Sequence, residues 1–177
     1  GFARQGTKLN DAKRLRESEI QHGRVAMMAT VGYFAGEAMG STVAPFGISG
    51  PANDQLQQVP TPAFAVLTVA IAAAELYRAT KGWVEPQFKI GSNTLWTLRE
   101  NYYPGDLGFD PLGLKPTSNY DFQVMQTKEL SHGRLAMIGW AGMCTQELLN
   151  HKTIFETLEF YQIVWSGGNP YGEGYYY

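Results

Sequence analysis

Two stretches of the chain carry the same three chemically costly groups in the same order. Glu19-Ile20-Gln21-His22-Gly23-Arg24 returns as Glu129-Leu130-Ser131-His132-Gly133-Arg134, offset by 110 residues. Aligned without gaps, 19–40 and 129–150 are identical at eight of 22 positions, the last of them Glu37/Glu147. Each copy sets a carboxylate, an imidazole and a guanidinium at the head of an otherwise apolar, helix-like segment. At about 100° per residue, Glu19 and His22 share a helix face, while Arg24 lies roughly 140° round from Glu19. Arg24 is therefore badly placed to neutralise its own carboxylate. In a membrane each unpartnered charge costs roughly 2.5–3.5 kcal/mol. The duplication offers an exchange, Arg24 to Glu129 and Arg134 to Glu19, with Gly23, Ala26, Gly133 and Ala136 small enough to let two backbones approach. A paired carboxylate keeps a second oxygen, and each histidine keeps a ring nitrogen. Such Lewis bases suit a hard cation already mostly coordinated elsewhere, such as the Mg²⁺ of a chlorin ring. The plainer alternative is that the glutamates only bridge and the histidines only donate hydrogen bonds.

These groups need long helices to hold them. The first is expected at about 11–40, capped by Asn10 or Asp11, and the second at 61–82, opened by Pro60 and Pro62. The third is expected at about 121–150, followed by an amphipathic helix at 153–165 in which Phe155, Leu158, Tyr161, Gln162 and Trp165 share a face. Residues 41–60 read as a loop rich in Pro, Gly, Asn and Gln, and 84–127 as irregular, with consecutive turns around Tyr103–Leu114. The tail from Gly167 reads as extended or mobile. By length, 1–177 is a single domain.

The bulk figures are compatible with a membrane protein. Only 17% of residues are charged, below the roughly 25% of soluble domains. The net charge of −2 suggests no polyanion partner. Cys144 is the single cysteine, which excludes an internal disulfide framework and leaves it a helix-packing role. No stretch has the ~18 uninterrupted apolar residues of a simple span, so hydropathy alone does not decide. Charge sorting does. Arg4, Lys8, Lys13, Arg14 and Arg16 lie before or at the head of the first helix, and Arg78, Lys81, Lys89, Arg99, Lys115 and Lys128 run from the end of the second to the head of the third. The loop at 41–60 has no basic residue and the tail has only Lys152. Three spans put these groups on opposite sides, the N-terminus on the positive one. Trp83, Trp96, Tyr102 and Tyr103 then read as anchors at the positive interface, and Trp165 at the other.

The pair of E-x-x-H-x-R segments resembles the first and third membrane helices of the chlorophyll-binding light-harvesting antenna family. Glu75-Leu76-Tyr77-Arg78 is similar to that family's middle-helix E-x-x-R. Pro104-Gly105-Asp106-Leu107-Gly108-Phe109-Asp110-Pro111-Leu112-Gly113 resembles its segment before the third helix. The resemblance covers about residues 10–165. It implies an all-α membrane protein of three transmembrane helices, the first and third crossed and pseudo-two-fold related, plus the short C-terminal amphipathic helix. It implies chlorophyll Mg ligands at Glu19, His22, Glu75, Glu129, His132 and Gln146, with Arg24, Arg134 and Arg78 bridging the ligating glutamates. Asp110 and Pro111 would flank a carotenoid. The implied function is light harvesting in the plastid thylakoid membrane, N-terminus stromal, passing excitation to a photosystem I or II core beside neighbouring antennae. No catalysis and no nucleic acid are implied.

Departures narrow the resemblance. Green-plant antennae typically have Asn at the position of His132, and a Gln ligand where this chain has Leu67. The run Met125–Leu130 and the stretch from Gly108 to Pro116 are more similar to the fucoxanthin chlorophyll a/c antennae of red-lineage algae. Chlorophyll a, chlorophyll c and fucoxanthin or a related xanthophyll are the pigments this implies. The N-terminal counterpart of the Phe109-Asp110-Pro111 loop would fall before Gly1, so a piece of the family's N-terminal segment is expected to be absent, as in a mature or truncated product. His151 reads as an exposed helix-end residue and Glu37 and Glu147 as helix-end carboxylates, although peripheral pigment binding and acid sensing are the functional alternatives. Two rival functions stand beside the antenna: a photoprotective, energy-dissipating relative, and a di-iron carboxylate oxidase, which also uses paired Glu-x-x-His segments.

Overall fold

A computed structural model of the chain describes residues 9–43, 47–84 and 97–170, without the side chains of 40–43. The expectations for Arg4, Lys8, Lys89, Trp96 and the end of the tail lie outside the described residues. Five helices follow in order: α1 (Leu9–Val43), α2 (Ala52–Gln58), α3 (Thr61–Gly82), α4 (Asn119–Asn150) and α5 (Ile154–Trp165). Among the described residues there is no strand, only an isolated antiparallel bridge between Trp83 and Leu98. The chain divides into two compact units, Gly1–Met27 with Pro62–Met137, and Met28–Thr61 with Ile138–Tyr177.

In the first unit, α3 is the apolar helix. Its 22 residues would extend about 33 Å at 1.5 Å per residue, close to the ~30 Å of bilayer hydrocarbon. Among the described residues it is the helix long and apolar enough to cross a membrane. Phe64, Val66, Leu67, Val69 and Ile71 all stand exposed along it. Pro62 fits its first turn, where a missing N–H costs nothing. The helix ends where Tyr102 packs within 3.1 Å of the Cβ position of Gly82. There Val84 N–H donates to the Thr97 carbonyl and Arg99 N–H to that of Gly82, both at 3.0 Å, folding the chain back on itself.

Both long polar-headed helices overrun their expected ends, α1 by residues 9–10 and 41–43, and α4 by 119–120. Asn10 is inside α1 and not its cap; its side-chain oxygen accepts the Leu98 N–H at 3.3 Å. Residues 119 and 120, outside the expected helix, are helical, and Asp121 stands in the favourable first turn of α4.

In the second unit, α2 occupies part of the expected loop. Its sequence, Ala52 to Gln58, has no apolar periodicity. What holds it is supplied from other helices: Ala52 N–H donates to Glu37 Oε1 at 3.3 Å and Asn53 N–H to Glu147 Oε2 at 2.9 Å. α4 stops at His151, which is exposed and takes left-handed backbone (φ 50°). α5 opens on a capping box: Glu156 N–H donates to the Thr153 hydroxyl, and Thr153 N–H donates to the Glu156 carboxylate.

Candidate functional site

The heads of α1 and α4 meet at two glycines. A Cβ built on Gly23 would stand 3.0 Å from the Gly133 Cα, and one built on Gly133 3.0 Å from the Gly23 Cα. Around this contact the duplicated charges are exchanged. Arg24 Nε donates to Glu129 Oε1 at 2.7 Å, and its Nη2 donates to the Gly105 carbonyl at 2.9 Å. Arg134 Nε donates to Glu19 Oε1, also at 2.7 Å. The copies then diverge. Glu19 Oε2 accepts from Arg16 at 2.9 Å, whereas Glu129 Oε2 accepts no hydrogen bond among the described residues.

The two histidines are held alike. His22 Nδ1 lies 2.7 Å from the Ser18 carbonyl oxygen and His132 Nδ1 2.8 Å from that of Lys128. A carbonyl can only accept, so Nδ1 carries the proton in each ring and a neutral ring keeps its lone pair on Nε2. Both rings are exposed. The spacing put an imidazole on each helix; the structure adds which nitrogen is left to act as a base.

On α3, Glu75 is held from two sides. Its Oε2 accepts from Arg78 Nε and Nη2 at 2.9 and 2.7 Å, and its Oε1 from Gln21 of α1 at 3.0 Å. Arg78 also reaches Glu17 Oε1 at 3.3 Å. Glu17 is the residue that sequence reasoning missed. It is 4% exposed, and its Oε2 accepts from the Tyr102 hydroxyl at 3.0 Å and the Gly105 N–H at 2.7 Å. Its counterpart in the second copy is Thr127, whose hydroxyl donates to its own helix at the Gln123 carbonyl. Tyr102 is thus a buried partner of Glu17, not the expected interface anchor. Burial and the neighbouring Glu17 carboxylate push its phenol up to about 12.

The loop before α4 encloses a cavity of about 890 Å³ against the heads of α1 and α4, lined among others by Arg24, Glu129, Phe109, Asp110, Phe122 and Met125. Gly105 bends the loop with φ 84°, at a place where a Cβ would meet Ile20 at 3.0 Å. Asp106 pairs with Lys115 at 2.7 Å, and that hydrogen bond holds its carboxyl below the usual range. Asp110 accepts the Leu114 and Lys115 N–H groups, both at 2.9 Å, which likewise lowers it. Pro111 is exposed and is not part of the cavity lining.

Gln146 belongs to the second unit, half-buried, and its side chain makes no hydrogen bond among the described residues. Beside it, Glu147 is 3% exposed. Glu37 caps twice, accepting from Ala52 and, at 2.8 Å, from Ile154. These carboxylates join helix starts. Cys144 Sγ donates to the Asn53 side chain at 3.4 Å.

Three of the expected ligands fit a Mg-chlorin: His22, His132 and Glu129 each offer one free base, steadied behind by a main-chain carbonyl or an arginine. Both oxygens of Glu19 and of Glu75 already accept hydrogen bonds, and Gln146 has no such support among the described residues. A di-iron centre needs the opposite, several ligands on one point. Among the described residues no group of three or more His, Cys, Asp or Glu side chains is placed to hold a metal ion.

The family profile described as Chlorophyll A-B binding protein matches residues 1–148. The chain belongs to the chlorophyll A-B binding protein family. Within it, the chain is 47% identical over 154 residues to the light-harvesting complex stress-related protein 3.2 of Chlamydomonas reinhardtii, covering 85% of this chain and 58% of that protein. It is 46% identical over 153 residues to the fucoxanthin-chlorophyll a-c binding protein of Isochrysis galbana, covering 86% and 72%. It is 31% identical over 146 residues to the chlorophyll a-b binding protein 1B-21 of Hordeum vulgare, covering 76% and 53%. The aligned region thus spans less than two thirds of the stress-related relative's length. Membership in a pigment-binding, light-harvesting family leaves the oxidase alternative without support.

Proposed function

We propose that this chain is an antenna protein of the plastid thylakoid membrane, with α1, α3 and α4 as three spans and a stromal N-terminus. The observation that carries the reading is the paired histidines, each pinned through Nδ1 so that Nε2 is left outward at matched places. Glu19, His22, Glu75, Glu129, His132 and Gln146 would each give one axial ligand to a chlorophyll Mg. Arg24, Arg134 and Arg78 hold the three glutamates in place and neutralise them. Asp110, which lines the cavity before α4, and Pro111 next to it in sequence would flank the head of a carotenoid. Chlorophyll a, chlorophyll c and fucoxanthin or a related xanthophyll are the pigments assigned, the last two by analogy with the fucoxanthin-chlorophyll a-c relative. Bound chlorophyll absorbs the light. The chain's own work is to fix positions, spacings and local fields, so that excitation passes to a photosystem core without covalent catalysis. The sorting of basic residues supports the orientation.

Refolding the chain with chlorophylls and carotenoids tests this. Parent protein should yield a red-absorbing complex, and His132→Leu should lose chlorophyll while keeping its helical circular dichroism. A parent that folds without taking up pigment would end the reading. The stress-related relatives favour a second reading, in which bound excitation is dissipated. Fluorescence lifetime at neutral and acidic pH separates the two: a harvester stays long-lived at both, and a dissipator shortens in acid.

A further inference from the structure

At the C-terminal end of α3 an open cleft of about 360 Å³ is lined by Lys81, Arg99, Lys115, Asn101, Tyr102 and Asp106, with Leu107 and Gly108. Its cations come from three separate segments: the last turn of α3, the returning chain after the Trp83–Leu98 bridge, and the loop before α4. Three cations face one carboxylate there, and that carboxylate, Asp106, is already engaged by Lys115. Lys81 Nζ lies 5.6 Å from the Tyr77 ring centre and has no carboxylate partner among the described residues. Arg99 uses Nε on the Trp83 carbonyl at 3.0 Å, and its terminal nitrogens make no hydrogen bond among the described residues.

The cleft opens at the foot of α3, which is long and apolar enough to cross a membrane and whose apolar side chains stand exposed. A free anion would use the cations alone. A molecule with a negative headgroup and acyl chains would use both the cations and the bare face of α3. We infer that this cleft holds the phosphate or sulfonate headgroup of an anionic membrane lipid whose chains lie along α3. The inference rests on the membrane reading of α3 proposed above. It follows from charge complementarity at the interface end of an apolar helix.

Native mass spectrometry of the pigment-bearing full chain, offered equal phosphatidylglycerol and phosphatidylcholine, tests it. The parent should retain phosphatidylglycerol selectively. Lys81→Gln, which breaks no hydrogen bond among the described residues, should weaken that retention about fivefold, and Lys81→Gln with Arg99→Gln about thirtyfold. Arg99→Lys should keep most of it. Arg14→Gln with Lys152→Gln removes as much charge elsewhere and should leave it unchanged. Equal retention in parent and double variant, or equal loss in the charge-matched control, would overturn the inference. Complete displacement by glycerol phosphate would also overturn it, since the headgroup alone would then suffice. A colourless parent would instead strike the antenna reading, whereas a coloured parent without lipid selectivity would strike only this one.

Discussion

Glu129 has one carboxylate oxygen on Arg24 and the other clear of described partners, so two losses coincide there. Glu129→Gln should lower stability by roughly 2 kcal/mol, between an exposed and a buried ion pair, and should also lose a pigment. Gln146→Ala should lose at most the pigment. Refolding yield and melting temperature compare them, and equal yields would count against the exchanged bridges. Tyr102 makes a separate prediction. Its folded pKa is raised from 10.0 to about 12, so the neutral phenol is favoured by folding. That stability is full below pH 10 and is lost as pH rises through about 12. Thermal melts from pH 8 to 12 should therefore show the parent falling relative to Tyr102→Phe, and parallel curves would contradict the buried contact with Glu17. The exchange of Glu and Arg could be read from sequence, because helical geometry keeps Arg24 from its own Glu19. Glu17 could not. It lies in a charged run from Lys13 to Glu19 that looks like a solvated face, and it has no acidic counterpart 110 residues on.

Among the elements, the contact between α1 and α4 depends on the absence of two side chains. Gly23→Ala and Gly133→Ala each drive a Cβ to 3.0 Å from main chain, which cannot swing aside. Each should destabilise the protein and lower pigment yield, despite alanine's helix advantage of roughly 0.5–1 kcal/mol. Gly32→Ala meets nothing within 4 Å and should be neutral or stabilising in the same melts. If all three behaved alike, close approach would not be what these glycines provide. The long helices were legible because prolines, glycines and polar heads bracket them, although the expected caps Asn10 and Asp11 lie inside α1. α2 was not, since its order comes from Glu37 and Glu147 on other helices and nothing in Ala52–Gln58 announces it. The capping box of α5, by contrast, is local, and Thr153 and Glu156 stand next to the expected apolar pattern.

For the whole molecule, the decisive question is which segments face which side of a membrane. With Cys144→Ser removing the native thiol, cysteines placed at Ser49 and Ser118 should be labelled from opposite sides of vesicles holding the pigmented protein. Labelling from one side would remove α3 as a span. Sequence reached this expectation through sorted charges. Among the described residues α3 is the helix long and apolar enough to span, whereas α1 and α4 interrupt their apolar stretches with the charges they exchange. Glu17 has one more consequence. Two like helices exchanging like contacts offer a third helix two equivalent berths, and a chain with only one α3 must choose between them. Glu17 accepts from Arg78 and Gln21 donates to Glu75 at one berth, while the other presents Thr127 and Ser131, each hydroxyl already turned to its own helix. Two unduplicated residues, Glu17 and Gln21, thus break the tie, and give a doubled framework one left and one right.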